Sequence, residues 1–271
     1  MRTYIIIWTL LFASHAHAQE ANDFIKAPEG NPEYVNPHTE HSTMFSIGHA
    51  NRLDTYLSPE EYQGTDIRFI SSSLRLHYGK WDKQFTHEGA FDYTHNRAGN
   101  GNTLAGHYDF AFSMLKPIDT PIPKLGLRAG FASDLYLGFA YNTHNSSNNP
   151  AQGYASLSLG ATAIATYKIR LSNKLLPINY EVRIPMIGAM FSPAFGQSYY
   201  EIFNNGNYDS NIVLTTIAIP QFRHQLTIDY PIGKHTNLRI GYLGDYRQSK
   251  PNHLKQHTYT NSFIVGYVTG I

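Results

Sequence analysis

The chain has no cysteine. Disulfide staples, thiolate metal sites and cysteine nucleophiles are therefore excluded, as is a lipid anchor on an N-terminal cysteine. Charge is sparse and balanced, with 21 Lys and Arg against 20 Asp and Glu and a net charge of +1. That balance gives no electrostatic reason to expect nucleic acid or an acidic partner. No apolar run after residue 18 approaches the roughly 18 residues of a spanning helix. No glycine-rich phosphate loop follows a strand, so no cofactor is expected. Tryptophan is scarce at 2 residues, while tyrosine reaches 20. A ring with one dry and one wet end suits a membrane interface.

The N-terminus reads MRTYIIIWTLLFASHAHA. Arg2 is a short basic region, Tyr4–Ala13 an apolar core, and Ala16-His17-Ala18 a small-residue cleavage site. Residues 1–18 thus read as a cleaved signal peptide. Residues 19–42 are polar and rich in Pro, Asn and His, and read as a periplasmic tail.

Two-residue alternation dominates from residue 43 onward. It is clearest in Lys124–Asn142, KLGLRAGFASDLYLGFAYN. Leu125, Leu127, Phe131, Leu135, Leu137, Phe139 and Tyr141 share one parity, while Arg128, Asp134 and every glycine share the other. Successive side chains on a strand point to opposite faces, so this is one long two-faced strand. Soluble strands average about 5–6 residues. A strand that crosses a bilayer in about 9–11 residues and continues beyond it fits better.

Similar segments span Thr43–Leu57, Asp66–Tyr78, Lys83–Thr94, Thr103–Leu115, Tyr154–Leu171, Lys174–Met190, Asn211–Tyr230, Asn237–Arg247 and Tyr259–Val268. A bulge is expected at Ser71–Ser73, where alternation breaks, and a bulge or local unpairing at Pro220, which lacks an N–H. Short or proline-stiffened turns (YGKWDK, KPIDTPIPK, LSNK, PIGKHT) alternate with mostly longer polar loops (SPEEYQGT, NRAGNGN, NTHNSSNNPAQG, SPAFGQSYYEIFNNGNYDSN, QSKPNHLKQH). Short turns on one side and long loops on the other mark outer-membrane barrels. The expectation is all-β: an antiparallel up-and-down transmembrane barrel over residues 43–271. It has about ten strands, or twelve if Gln197–Phe203 and Ile212–Ile219 are separate strands. A soluble sandwich would show turn signals every 8–12 residues, about half the spacing seen here.

The signal peptide, the long two-faced strands and the turn pattern resemble small outer-membrane barrels of Gram-negative bacteria. SPAFGQSYYEIF and YPIGKHTNLRIGYLGDYRQSKPNHLKQHTY are similar to an uncharacterised family of such barrels with no assigned activity. The resemblance implies an outer-membrane location, contact with membrane lipid and lipopolysaccharide, and insertion by the barrel assembly machinery.

Arg128, Asp134, Glu181, Arg183, Arg239 and Asp245 fall on the charged parity. A narrow barrel fills its interior with side chains, and buried charges must pair, so these six are expected to interlock across the lumen. Three residue patterns could carry chemistry. Lipid-hydrolase barrels place His and Ser two apart on a strand; the nearest match, His144-Asn145-Ser146, lies in a polar loop. Omptin-like proteases set Asp–Asp and Asp–His pairs across the mouth; His107, Asp109, Asp92 and Asp245 are weak candidates, with His107 and Asp109 on one face at i, i+2. The fourteen His form no metal signature: His253 and His257 sit in a loop, His38 and His41 in the tail. In the longest loop, Tyr199, Tyr200 and Phe203 are the expected contact surface or, equally, a lid across the mouth. The leading expectation is a structural or surface-binding barrel with no catalytic residues. The alternatives are a barrel enzyme, either lipid hydrolase or omptin-like protease, and a small-solute channel.

Overall fold

A computed structural model of the chain describes residues 38–77, 80–144, 149–171, 174–204, 206 and 210–270. The expected signal peptide, residues 19–37 of the tail, and Asn145 and Ser146 lie outside the described residues.

Eleven strands form one antiparallel sheet: β1 His38–Asp54, β2 Ser58–Leu76, β3 Asp82–Asn96, β4 Asn102–Ile118, β5 Leu125–Asn142, β6 Ala151–Leu171, β7 Lys174–Phe191, β8 Ile212–Thr216, β9 Phe222–Pro231, β10 Thr236–Ser249 and β11 Gln256–Thr269. Sequential neighbours pair from β1 to β7; β7 continues to β9, then β10, β11 and back to β1. Ten strands therefore close a cylinder. The short β8 lies along the upper part of β7.

The alternation read from the sequence survives in three dimensions. In β3 every even position from Asp82 to Asn96 is buried except the half-buried Ala90, while Phe85, Phe91 and Tyr93 point out. In β5 Phe139 is 54% exposed and Asp134 only 6%. A soluble barrel would reverse this. Phe45, Ile47, Phe69, Phe131, Leu157, Leu159, Phe263 and many others form an outward apolar belt, and only hydrocarbon rewards such a surface. Exposed Trp81, Tyr167, Tyr230 and Tyr267 ring the belt near the short turns, and Tyr93 and Tyr141 ring it near the loops. These are the interfacial girdles of a membrane barrel. A small apolar layer, Met44, Ile70, Leu243 and Ile264, lies inside.

The strands depart from the sequence pattern at several points. The first strand begins at His38, so residues 38–42 belong to the barrel and not to the tail. SPEEYQGT is not a loop: Ser58–Thr65 continues β2, with Tyr62 opposite Arg52 and Asn96. The turn shrinks to residues 55–57. Ser71–Ser73 carries no bulge; both neighbouring ladders run through it in register. Three small hydroxyl side chains blurred the alternation without changing the backbone. The bulges lie elsewhere, at Arg52/Asp54 and opposite Leu159/Gly160, where Pro185 pairs with Gly160 and Ile187 with Leu159. An extra residue, Met186, absorbs the proline there. A Cβ on Gly160 would meet the Ile184 carbonyl oxygen at 2.1 Å, so only glycine fits. Tyr199–Asn204 is a helix, here α1, and not a strand, so the count stays at ten staves.

The expected interruption at Pro220 is present. β8 ends at Thr216 and β9 starts at Phe222. The β9–β10 ladder stops at Phe222–Tyr246. Above it β8 pairs with β7 and the end of β10 with β11, and Gln248 Nε2 donates to the Pro220 carbonyl at 2.8 Å across the seam.

Candidate functional site

The inward parity of β2, β3, β4, β5, β7, β9 and β10 delivers charges of both signs to the middle of the lumen. Arg68, between outward Ile67 and Phe69, is the hub. Its Nε donates to Asp66 at 2.8 Å, and its Nη1 to Glu88 at 2.8 Å and to Asp245 at 2.7 Å. Arg223 Nη2 donates to Glu88 at 2.6 Å. Arg247 joins Asp245 at 3.2 Å to Asp109 at 2.8 Å, and Arg183 joins Asp109 to Asp134. Arg52 grips Asp92 with two bonds of 3.2 and 2.7 Å. Towards the turns, Arg128 meets Asp82 at 2.8 Å and Arg239 forks onto Asp229 at 2.7 and 2.8 Å. Guanidinium forks suit carboxylates, and each buried charge here has the partner that burial demands.

Of the six charges singled out in the sequence, only Arg183 and Asp134 bond each other directly. Arg128, Arg239 and Asp245 find other partners, and Glu181 accepts the Gln84 amide at 3.1 Å. The reading missed Arg52, Asp66, Arg68, Asp82, Glu88, Arg223 and Asp229. All sit on the same inward parity, so the signal that found the six could have found them.

The catalytic candidates are brought close but not into catalytic pairs. Asp109 and Asp92 take guanidinium donors, and Asp245 takes two, with the Arg223 guanidinium a further 3.7 Å away. Carboxylates committed to fixed cations make poor bases. His107 does not bond Asp109; its Nε2 lies 3.4 Å from Glu88, and its ring rests on Tyr136. Oxygen and nitrogen atoms of Glu88, His107 and Asp245 lie within 4.8 Å of one another, a spacing that could suit a metal. Yet Arg68 Nη1 reaches both carboxylates, so a guanidinium already stands where a cation would bind.

This layer separates two cavities. One, of about 450 Å³, lies towards the turns; the other, of about 90 Å³, lies towards the loops, and Arg183 and Arg223 line both.

Above the smaller cavity, residues 192–204, with 206, 210 and 211, lie across the mouth. Ser198 caps α1 reciprocally: the Glu201 carboxylate accepts the Ser198 N–H at 2.7 Å, and Ser198 Oγ accepts the Glu201 N–H at 3.2 Å. The Ser198 N–H, and then the Ser198 hydroxyl at 3.0 Å, donate to the Glu201 carboxylate and hold it below its ordinary value. The Tyr199 hydroxyl accepts from the Gly153 N–H at 2.6 Å and donates to Gln152 at 2.9 Å. Tyr56 donates to the Gln197 carbonyl at 2.8 Å, and burial pushes its hydroxyl up to about 12. Asn211 and Asn252 tie the loop's ends through the Ser192 carbonyl. The expected aromatic cluster is therefore divided. Tyr199 faces inward as an anchor, while Tyr200 and Phe203 face out, 69% and 63% exposed, beside Phe195 at 82%.

A closed ten-stave cylinder with an apolar belt, an ion-paired lumen and a tied lid defines a small outer-membrane β-barrel. Residues 4–271 match the family described as "protein of unknown function (DUF3316)", and the chain belongs to it. No curated protein matches the chain. Among solved structures it is similar to the outer membrane protease OmpT from Escherichia coli, with a TM-score of 0.48, 7% identity, and coverage of 89% of this chain and 100% of that one. It is also similar to the translocator domain of the autotransporter NalP from Neisseria meningitidis, with a TM-score of 0.44, 8% identity, and coverage of 94% and 93%. A third is an outer membrane channel from Pseudomonas putida F1, with a TM-score of 0.36, 10% identity, and coverage of 90% and 99%. Identities this low carry no function across.

Proposed function

We propose that the protein is a closed, non-catalytic outer-membrane barrel with a structural or surface-binding role, exported by its signal peptide and displaying the lid and longer loops outside the cell. The observation that carries this reading is the ion-paired layer. Arg68, Arg183, Arg223 and Arg247 span the lumen from β2 to β10 and occupy the carboxylates that a barrel hydrolase would need free. A channel would need a water path through the same layer. The outer face of the lid, with Phe195, Tyr200 and Phe203 exposed on an anchored support, is the surface best suited to contact. Membrane lipid and lipopolysaccharide around the belt, and the barrel assembly machinery during insertion, are the partners this reading implies.

The test is planar-bilayer recording run beside lipid- and peptide-hydrolysis assays on one purified sample. The expected outcome is no discrete current steps and no product release above a heat-denatured control. A stable unitary conductance, or hydrolysis abolished by Asp109→Asn, would overturn the proposal.

A further inference from the structure

We propose that the cavity at the turn end of the barrel is a binding site for an anionic amphiphile: an acidic head on an aliphatic chain. Its volume, about 450 Å³, lies in the range of small-molecule sites, roughly 300–1,000 Å³. Its walls differ in chemistry. On β1, β2 and β11 it is lined by Met44, Ile70, Leu74, Leu76 and Val268; on the facing β5 and β6, and the turn before β5, by Lys124, Arg128, Lys168 and Arg170. A lumen built only to hold water has no use for a continuous aliphatic wall, since wetting it costs free energy.

The charge balance of the lining points the same way. Seven Lys and Arg side chains line the cavity against three carboxylates, Glu40, Glu181 and Asp229. Asp229 is clamped by Arg239, and Glu181 takes the Gln84 amide. Lys124 and Arg170 have no side-chain partner among the described residues. Two deeper donors are also unspent. Arg183 is 3% exposed and its Nε has no hydrogen-bond partner; Arg223 is 8% exposed, and its Nη1 lies 3.7 Å from Asp245, beyond hydrogen-bond reach. Buried N–H groups without acceptors are costly. An acidic head at either level of the cavity would be met by cations while its chain covered the aliphatic wall.

The experiment uses the full barrel in phosphatidylcholine nanodiscs, with a dansyl-labelled undecanoate as fluorescent probe and empty nanodiscs as the blank. Dodecanoate and dodecyl phosphate should displace the probe saturably, and uncharged dodecanol should do so roughly tenfold more weakly, the value of one charge-assisted contact. Either order of the two acids supports the site, and the tighter one identifies its source as a free carboxylate or a phosphate head. The double variant Lys124→Gln/Arg170→Gln leaves the ion-paired layer untouched and should weaken dodecanoate by a similar factor. Leu74→Asn should erase the advantage of dodecanoate over octanoate. Equal displacement by dodecanol, or no saturable signal above empty nanodiscs, overturns the site with no variant needed. Unchanged affinity in the folded double variant overturns it too.

Discussion

Arg68 concentrates the energetics of the lumen into one side chain. It is 3% exposed and touches Asp66, Glu88 and Asp245. Removing one partner of a buried ion pair typically costs about 3–5 kcal/mol, because the other charge is stranded. Arg68→Met is expected to lower stability by at least that much, read as a reduced urea midpoint for unfolding from phosphatidylcholine vesicles. Arg97→Met, on an exposed loop residue, should stay within about 0.5 kcal/mol. The side that Arg68, Arg183 or Asp134 would face was legible in the sequence, because parity alone decides it. The partner was not. Arg183 on β7 meets Asp134 on β5, and Arg68 on β2 meets Asp245 on β10. Such pairs join strands that are not neighbours, and which of them meet depends on register and barrel shear, which no local pattern encodes.

Among the elements, β5 and β6 were readable nearly end to end because an unbroken two-residue rhythm leaves one solution. The start of β2 was not, because Pro59 and Gly64 announce a turn. Pro59 nonetheless lies at the strand's first turn-side residues, and Gly64 pairs with Ala50 and Thr94. The lid helix was also hidden, its Ser198-x-x-Glu201 cap lying inside a stretch read only for its aromatics. The lid carries its own pH test. Tyr56 must stay protonated to donate to Gln197, and its folded value of about 12 stands above the ordinary 10. The raised value means that this contribution is intact below pH 10 and fades as pH climbs from 10 towards 12. Limited proteolysis within residues 192–211 should therefore accelerate across that window. In Tyr56→Phe, cutting should already be fast at pH 8 and should change less between 10 and 12.

For the molecule as a whole, the outward belt determines where the chain can reside. Side chains such as Phe45, Ile47 and Phe139 exceed half exposure, and water would penalise them together by far more than a folded domain's net stability. Membranes washed with sodium carbonate at pH 11 should therefore keep the protein in the pellet, and non-ionic detergent should release it. Recovery as a folded monomer in detergent-free buffer would contradict the fold's inside-out polarity. The seam at Pro220 has a mechanical consequence. A cask holds because every plank grips both neighbours along its length, but β9, though paired to β10 throughout, meets β7 only from Ile178 to Arg183. Under strain, β9 is the plank that works loose first, and the rim beside it is where the vessel would begin to leak.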